Sequence, residues 1–195
     1  MHRLFIAVEL SITVVERLAM LQKDLEVRID QEFGDQVRLR TVDVPNIHIT
    51  LKFIGDTAPE MVPRIQEVLS ELCKPLFPFE VECRDVGVFP KPSRPRILWA
   101  GLDEKSAEVL GLLQKTIEHD LFETLAIEKE SRSFSPHVTV ARVKSRTAPS
   151  FKELLQRYDD VSFGESFIKD IVLYESHLDE DGPRYEIVER FVLGD

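Results

Sequence analysis

No apolar run in this sequence approaches the roughly 18–20 residues that would span a bilayer, so a membrane-crossing helix is not expected. Cysteine is scarce. Cys73 and Cys83 form neither a Cys-x-x-Cys pair nor zinc-ligand spacing, which leaves reduced thiols as the expectation. A Gly-x-Gly-x-x-Gly turn is also missing, and with it the signature of a dinucleotide-binding doubly wound sheet. No Gly/Ser-rich or low-complexity stretch marks a linker. Positive charge is in deficit, with 25 Lys and Arg against 35 Asp and Glu and a net charge of −10. That balance excludes a protein that coats nucleic acid by general electrostatics, but not a small basic patch holding one nucleic-acid end. The opening residues Met1 to Val8 read as a strand followed by a charged helix rather than as a leader, so the cytoplasm is the expected location.

What is present describes an ordinary globular chain. Its 195 residues are 43% hydrophobic and 31% charged, enough to bury a core without staples. The periodicities alternate between strand and helix. Leu4–Glu9 reads as a strand, and Ser11 caps a helix over Ile12–Phe33 that Gly34 stops. Gln36–Thr41 is extended. Pro59–Cys73 and Ser106–Phe122 carry helical apolar stripes, and Phe151–Tyr158 is a short helix. Phe79–Phe89 and Arg96–Gly101 read as strands joined by a proline-stiffened loop. Ile168–Ser176 and Arg184–Leu193 read as a terminal hairpin around Asp179-Glu180-Asp181-Gly182-Pro183.

Two stretches organise the rest. One is Asn46-Ile47-His48-Ile49-Thr50-Leu51-Lys52-Phe53, which Gly55 ends, and the other is Ser135-Pro136-His137-Val138-Thr139-Val140-Ala141-Arg142. Each reads His-apolar-Thr-apolar, and the histidines are 89 residues apart. Side chains alternate along a strand, so each His and Thr share one face, while Ile47, Ile49, Leu51 and Phe53, or Val138 and Val140, fill the other. Such a recurrence suggests an internal duplication. The expectation is one domain over residues 1–195 made of two pseudo-symmetric lobes. Its class is α+β, with two antiparallel sheets lining a central cleft and helices outside.

Two imidazoles across a cleft can serve as general base and general acid, since their ordinary pKa near 6.5 lets either carry the proton. Threonine hydroxyls beside them suit the non-bridging oxygens of a phosphate. Neither motif places Asp, Glu or Cys near its histidine, so no metal and no cofactor are expected. A serine or cysteine nucleophile with its own base is not indicated. The chemistry that fits is cleavage or formation of a phosphodiester, best of all a strained cyclic one.

On these residues the chain resembles the 2H phosphoesterases, and within them the RNA 2′,3′-cyclic phosphodiesterase group, also called 2′-5′ RNA ligases. Arg3-Leu4-Phe5-Ile6-Ala7-Val8 is similar to the family's opening strand, and Arg94-Pro95-Arg96-Ile97-Leu98-Trp99 to its mid-chain strand. The resemblance implies that His48 donates a proton to the leaving 3′ oxygen and His137 activates water, with Thr50 and Thr139 holding the phosphate and a 2′-phosphate as product. Its partners would be RNA ends or nucleotides bearing a 2′,3′-cyclic phosphate, met by a monomer. Ser135 departs from the pattern of many family members, which carry an arginine before the Pro-His pair, and Arg132 is a candidate for the replacement cation. Ligation of the cyclic end to a 5′-hydroxyl and a non-catalytic RNA- or nucleotide-binding module are the alternative readings. Intact histidines and threonines in both motifs argue against the latter.

Other residues carry weaker signals. Lys52 shares the face of His48 and Thr50 by parity and is a candidate phosphate contact. Arg142 matches a family arginine, but strict alternation from His137 turns it away unless the strand bulges. Lys91, Arg94 and Arg96 read as a solvated loop, Phe89 and Trp99 as core, and His2, His119 and His177 carry no signal.

Overall fold

The computed structural model describes residues 1–147, 149–179 and 182–194. Strand β1 (His2–Glu9) leads into helix α1 (Ile12–Phe33), capped by the Ser11 hydroxyl accepting from the Val14 amide and ended at Gly34, whose φ of +56° suits glycine. Strand β2 (Val37–Thr41) and the first motif strand β3 (His48–Thr57) follow. Gly55 does not end β3. At φ +85° it sits inside the strand, paired with Leu4, and the ladder runs on to Thr57. A 3-10 turn over Pro59–Met61 precedes α2 (Val62–Cys73).

The expected proline-stiffened loop is a tight hairpin. Strands β4 (Phe79–Lys91) and β5 (Arg94–Leu102) stay paired through Pro90↔Pro95 and Lys91↔Arg94. Helix α3 (Glu104–Leu125) outruns its expected bounds at both ends, because Asp103 caps it and Ala126 closes it in the left-handed region. The second motif strand β6 begins at Val138, one residue after His137, and reaches Ser145. After α4 (Lys152–Gln156) comes β7 (Ser162–Ile168), a strand that the sequence pattern did not reveal. The terminal hairpin is β8 (Asp170–Asp179) and β9 (Gly182–Val192), and Glu180 and Asp181 of its turn lie outside the described residues.

Among the described residues nine strands, all antiparallel, form the order β7-β4-β5-β6-β3-β1-β8-β9, with β2 added on β6. Four strands of this path lie on each side of the β6–β3 junction. That junction is one residue pair wide, Ile49↔Val138. Instead of the two antiparallel sheets expected, the strands thus form one nine-stranded antiparallel sheet, whose halves are joined between the two motifs. Helices cover the outside: α1 packs on β2, β6 and β7, α2 on α3 and β9, and α3 on β3 and β4. The main core between helices and sheet includes Leu18, Leu25, Ile49, Ile65, Leu98, Ile117 and Val138, all nearly or fully buried. Phe5, Ala7, Val172 and Tyr174 form a second, smaller cluster, with Tyr185 packed against it. None of the helices is long and apolar enough to cross a membrane among the described residues.

Candidate active site

Cross-strand pairing at Ile49↔Val138 sets His48 beside Thr139 and Thr50 beside His137 on the face opposite the helices, because neighbours of a paired residue alternate together. Ile49 and Val138 themselves are fully buried beneath the helices. His48, Thr50, His137 and Thr139 are partly buried.

Each imidazole is fixed by its own motif. His48 Nδ1–H donates to the Asn46 carbonyl at 2.8 Å, and His137 Nδ1–H donates to the Ser135 carbonyl at 2.8 Å. A carbonyl only accepts, so Nδ1 carries the hydrogen in both rings, and in the neutral rings Nε2 holds the lone pair. In neutral His48 that Nε2 accepts from the Thr50 hydroxyl at 2.9 Å. Burial pushes His48 down to about 4, and positive charge on His137 acts in the same direction. The Asn46 carbonyl and the Glu9 carboxylate oppose this without offsetting it.

Aromatic rings line both halves. Phe5 lies 5.1 Å from His48 between ring centroids, and Tyr185 meets it edge-on at 5.4 Å. Phe89 meets His137 edge-on at 5.0 Å, with Trp99 at 6.3 Å. Phe89 and Trp99 are thus half-buried walls of the site, a correction to their expected place in the core. The indole lies across Gly87, where a Cβ would sit 2.1 Å from the ring. Its buried N–H has no hydrogen-bond partner among the described residues. Beneath His48, Glu9 accepts from the Tyr174 hydroxyl and from both terminal nitrogens of Arg190, at 2.7 and 2.8 Å. Burial opposes ionisation of Glu9, but these donors and the Arg190 charge outweigh it and hold the carboxyl below its usual range. Beside them opens a cleft of about 430 Å³ bordered by Glu9, Asn46, Tyr174, Arg184 and Tyr185.

Both motif strands bulge at the same place, three residues after the histidine. Ala7 pairs with Thr50 but Ile6 with Lys52, so Leu51 is extra; Trp99 pairs with Thr139 but Leu98 with Ala141, so Val140 is extra. A one-residue insertion reverses every later side chain. Lys52 therefore leaves the histidine face. It is 2% exposed and donates to Glu118 of α3 at 2.5 Å and to the Glu128 carbonyl at 2.9 Å. The expected role of Lys52 as a phosphate contact is corrected: it is a buried structural cation. Phe53, expected in the core, is instead 64% exposed and packs 6.0 Å from Phe5 on the site side. In β6 the same insertion buries Val140 and Ala141 and turns Arg142 onto the face of Thr139, where its charge acts on Tyr185. Overlaying the two motifs would have paired Phe53 with Arg142, five residues beyond each histidine, and so flagged Phe53. Phe5, Glu9, Tyr174, Tyr185 and Arg190 left no such mark in the sequence.

Arg132 lines a separate groove against α3 with Lys115, Lys129 and Phe134. Lys91, Arg94 and Arg96 are exposed on the β4–β5 hairpin. His2, His119 and His177 each sit beside a glutamate, Glu175, Glu123 and Glu186. Among the described residues no group of three or more His, Cys, Asp or Glu side chains converges as metal ligands would.

Two histidines, two threonines and an arginine thus share one face of the sheet, with aromatic rings against both imidazoles. The chain belongs to the 2′-5′ RNA ligase superfamily, whose family model matches residues 28–180. A protein of Aquifex aeolicus named RNA 2′,3′-cyclic phosphodiesterase is 35% identical over 167 residues, covering 86% of this chain and 88% of the relative. One of the same name from Archaeoglobus fulgidus is 33% identical over 184 residues, covering 94% and 96%. Among solved structures, TT0787 of Thermus thermophilus superposes with a TM-score of 0.79 at 27% identity, covering 98% of each chain. Escherichia coli LigT, solved in complex with 3′-AMP, shares the fold with a TM-score of 0.75 at 20% identity, over 100% of this chain and 99% of LigT.

Proposed function

We propose that this protein hydrolyses the 2′,3′-cyclic phosphate of RNA ends or nucleotides to a 2′-phosphate, without a metal ion, by proton transfer at His48 and His137. The observation that carries this reading is the Ile49↔Val138 junction, which sets two His-x-Thr pairs side by side on one sheet face. The names of the two relatives, both RNA 2′,3′-cyclic phosphodiesterases, support the substrate class. In this reading the chain works as one domain of two pseudo-symmetric lobes.

His137 Nε2 takes a proton from water as it attacks phosphorus, and His48 Nε2 delivers one to the departing 3′ oxygen. Thr50, Thr139 and Arg142 bind the non-bridging oxygens. The low pKa of His48 is compatible with its role as acid. An anionic phosphate about 4 Å away contributes about 4 kcal/mol at an effective dielectric of about 20, which is about three pKa units. Bound substrate thus returns His48 from about 4 to the neutral range.

Incubation with a 2′,3′-cyclic nucleotide in EDTA, with the product assigned by phosphorus NMR, should give the 2′-phosphate at an undiminished rate. His48→Ala and His137→Ala should each lower kcat by roughly 10²–10⁴-fold. Thr50→Val should cost less, on the order of 1.5–3 kcal/mol shared between KM and kcat. A rate abolished by EDTA and restored by one divalent ion, or near-normal kcat in His48→Ala, would refute the reading.

A further inference from the structure

Strands β2 and β6 together hold four cations, Arg38, Arg40, Arg142 and Lys144, and no carboxylate, in a chain whose acids outnumber its bases 35 to 25. Register places them in two directly opposed pairs, Arg40↔Arg142 and Arg38↔Lys144. Directly opposed residues share a face, and like charges so placed destabilise a sheet. All four side chains are exposed, while Val37, Leu39 and Val143 turn inward against the core. The cations therefore occupy the face of Thr139, because the Val140 bulge has already turned Arg142 there. Arg40 reaches the β8–β9 hairpin, its guanidinium against Gly182. Arg38, Arg142 and Lys144 form no ion pair among the described residues. The charge of Arg38, Arg142 and Lys144, gathered on one face at a cost to the sheet, is compensated when a polyanion lies along it.

We infer that the β2–β6 ribbon is a track for the RNA strand on the 5′ side of the terminal cyclic phosphate, so that the protein prefers RNA ends over free cyclic nucleotides. This rests on the proposed hydrolysis of 2′,3′-cyclic phosphate. A 2′,3′-cyclic phosphate occupies the 3′ end of its strand, so the remaining nucleotides extend from the 5′ oxygen of the reacting one. Arg142 to Lys144 advances about 7 Å along the strand, comparable to the step between phosphates of an extended single strand. Charged grooves that follow the backbone beside aromatic rings are how single strands are bound without regard to sequence. Here the rings stand at the site itself and the charge runs outward from it.

The test compares a 2′,3′-cyclic mononucleotide with a short oligoribonucleotide ending in the same cyclic phosphate. Wild type should show the higher kcat/KM on the oligonucleotide, with KM rising steeply with salt. Arg38→Gln/Lys144→Gln should lower kcat/KM on the oligonucleotide about tenfold through KM. The slope of log KM against log salt should fall by about 0.7 for each phosphate no longer neutralised. The effect should be confined to the oligonucleotide, and the melting temperature should not drop, since an opposed like-charge pair is removed. Equal effects on both substrates, or none on either, would overturn the inference. If wild type turns over neither substrate, the proposed hydrolysis fails by itself. The track is then judged by fluorescence anisotropy with the labelled oligonucleotide, where binding unchanged in the double variant overturns it.

Discussion

His48 is held in two opposed ways. Its Nδ1–H is committed to the Asn46 carbonyl, and its Nε2 accepts from Thr50, so the empty site favours the neutral ring. Burial among Phe5, Tyr174 and Tyr185 pushes the pKa to about 4, and only the Asn46 carbonyl and Glu9, itself ionised through Arg190 and Tyr174, pull the other way. Residues of this kind respond to occupancy more than to bulk pH. Proton NMR titration of the His48 ring should give a midpoint near 4 in the free protein, and inorganic phosphate or a 2′-nucleotide should move it upward. A midpoint near the ordinary histidine value of about 6.5 in the free protein would show that the aromatic walls do not desolvate the ring.

At the scale of elements, both bulges are held by helices through buried polar groups. Gln22 of α1 donates to the carbonyl of the extra residue Val140 at 2.8 Å and to that of Val42 at 2.7 Å. Lys52, next to the extra residue Leu51, pairs with Glu118 of α3. Glu118 also accepts from the Glu130 amide at 2.8 Å, and so ties down the segment that leads to His137. Breaking a buried pair strands the partner charge, so Lys52→Met should destabilise the fold by about 3–5 kcal/mol. Lys52→Met/Glu118→Leu should recover much of that in chemical denaturation. A purely phosphate-binding lysine would instead raise KM and leave stability untouched.

Across the whole molecule, acid should weaken the fold through His48. Its folded pKa, about 4, lies below the unfolded value near 6.5. Between these values the unfolded chain holds a proton that the native one does not. Stability is therefore full above pH 6.5 and is lost as pH falls toward 4, by at most about 3 kcal/mol from this group. Urea denaturation at about pH 7 and about pH 4.5 should show the loss, and His48→Gln should lack that share of it. An identical pH dependence in the variant would remove His48 from the account.

Much of this protein could be read from the chain alone. Ser11 and Gly34 bound α1, the duplicated His-x-Thr pattern marked the four central residues, and their alternation with Ile49, Val138 and Val140 gave the buried side. These are local matters, since caps and strand parity act between neighbours in sequence. Parity fails where a strand takes an extra residue, and neither Leu51 nor Val140 differs in kind from its flanking apolar neighbours. The bulge exists because β1 and β5 pair across it and α1 and α3 hold it from behind, all partners remote in sequence. Only the tertiary structure could therefore place Lys52 inside, Phe53 and Arg142 at the site, and Tyr174, Tyr185 and Arg190 around His48 and its Glu9 support.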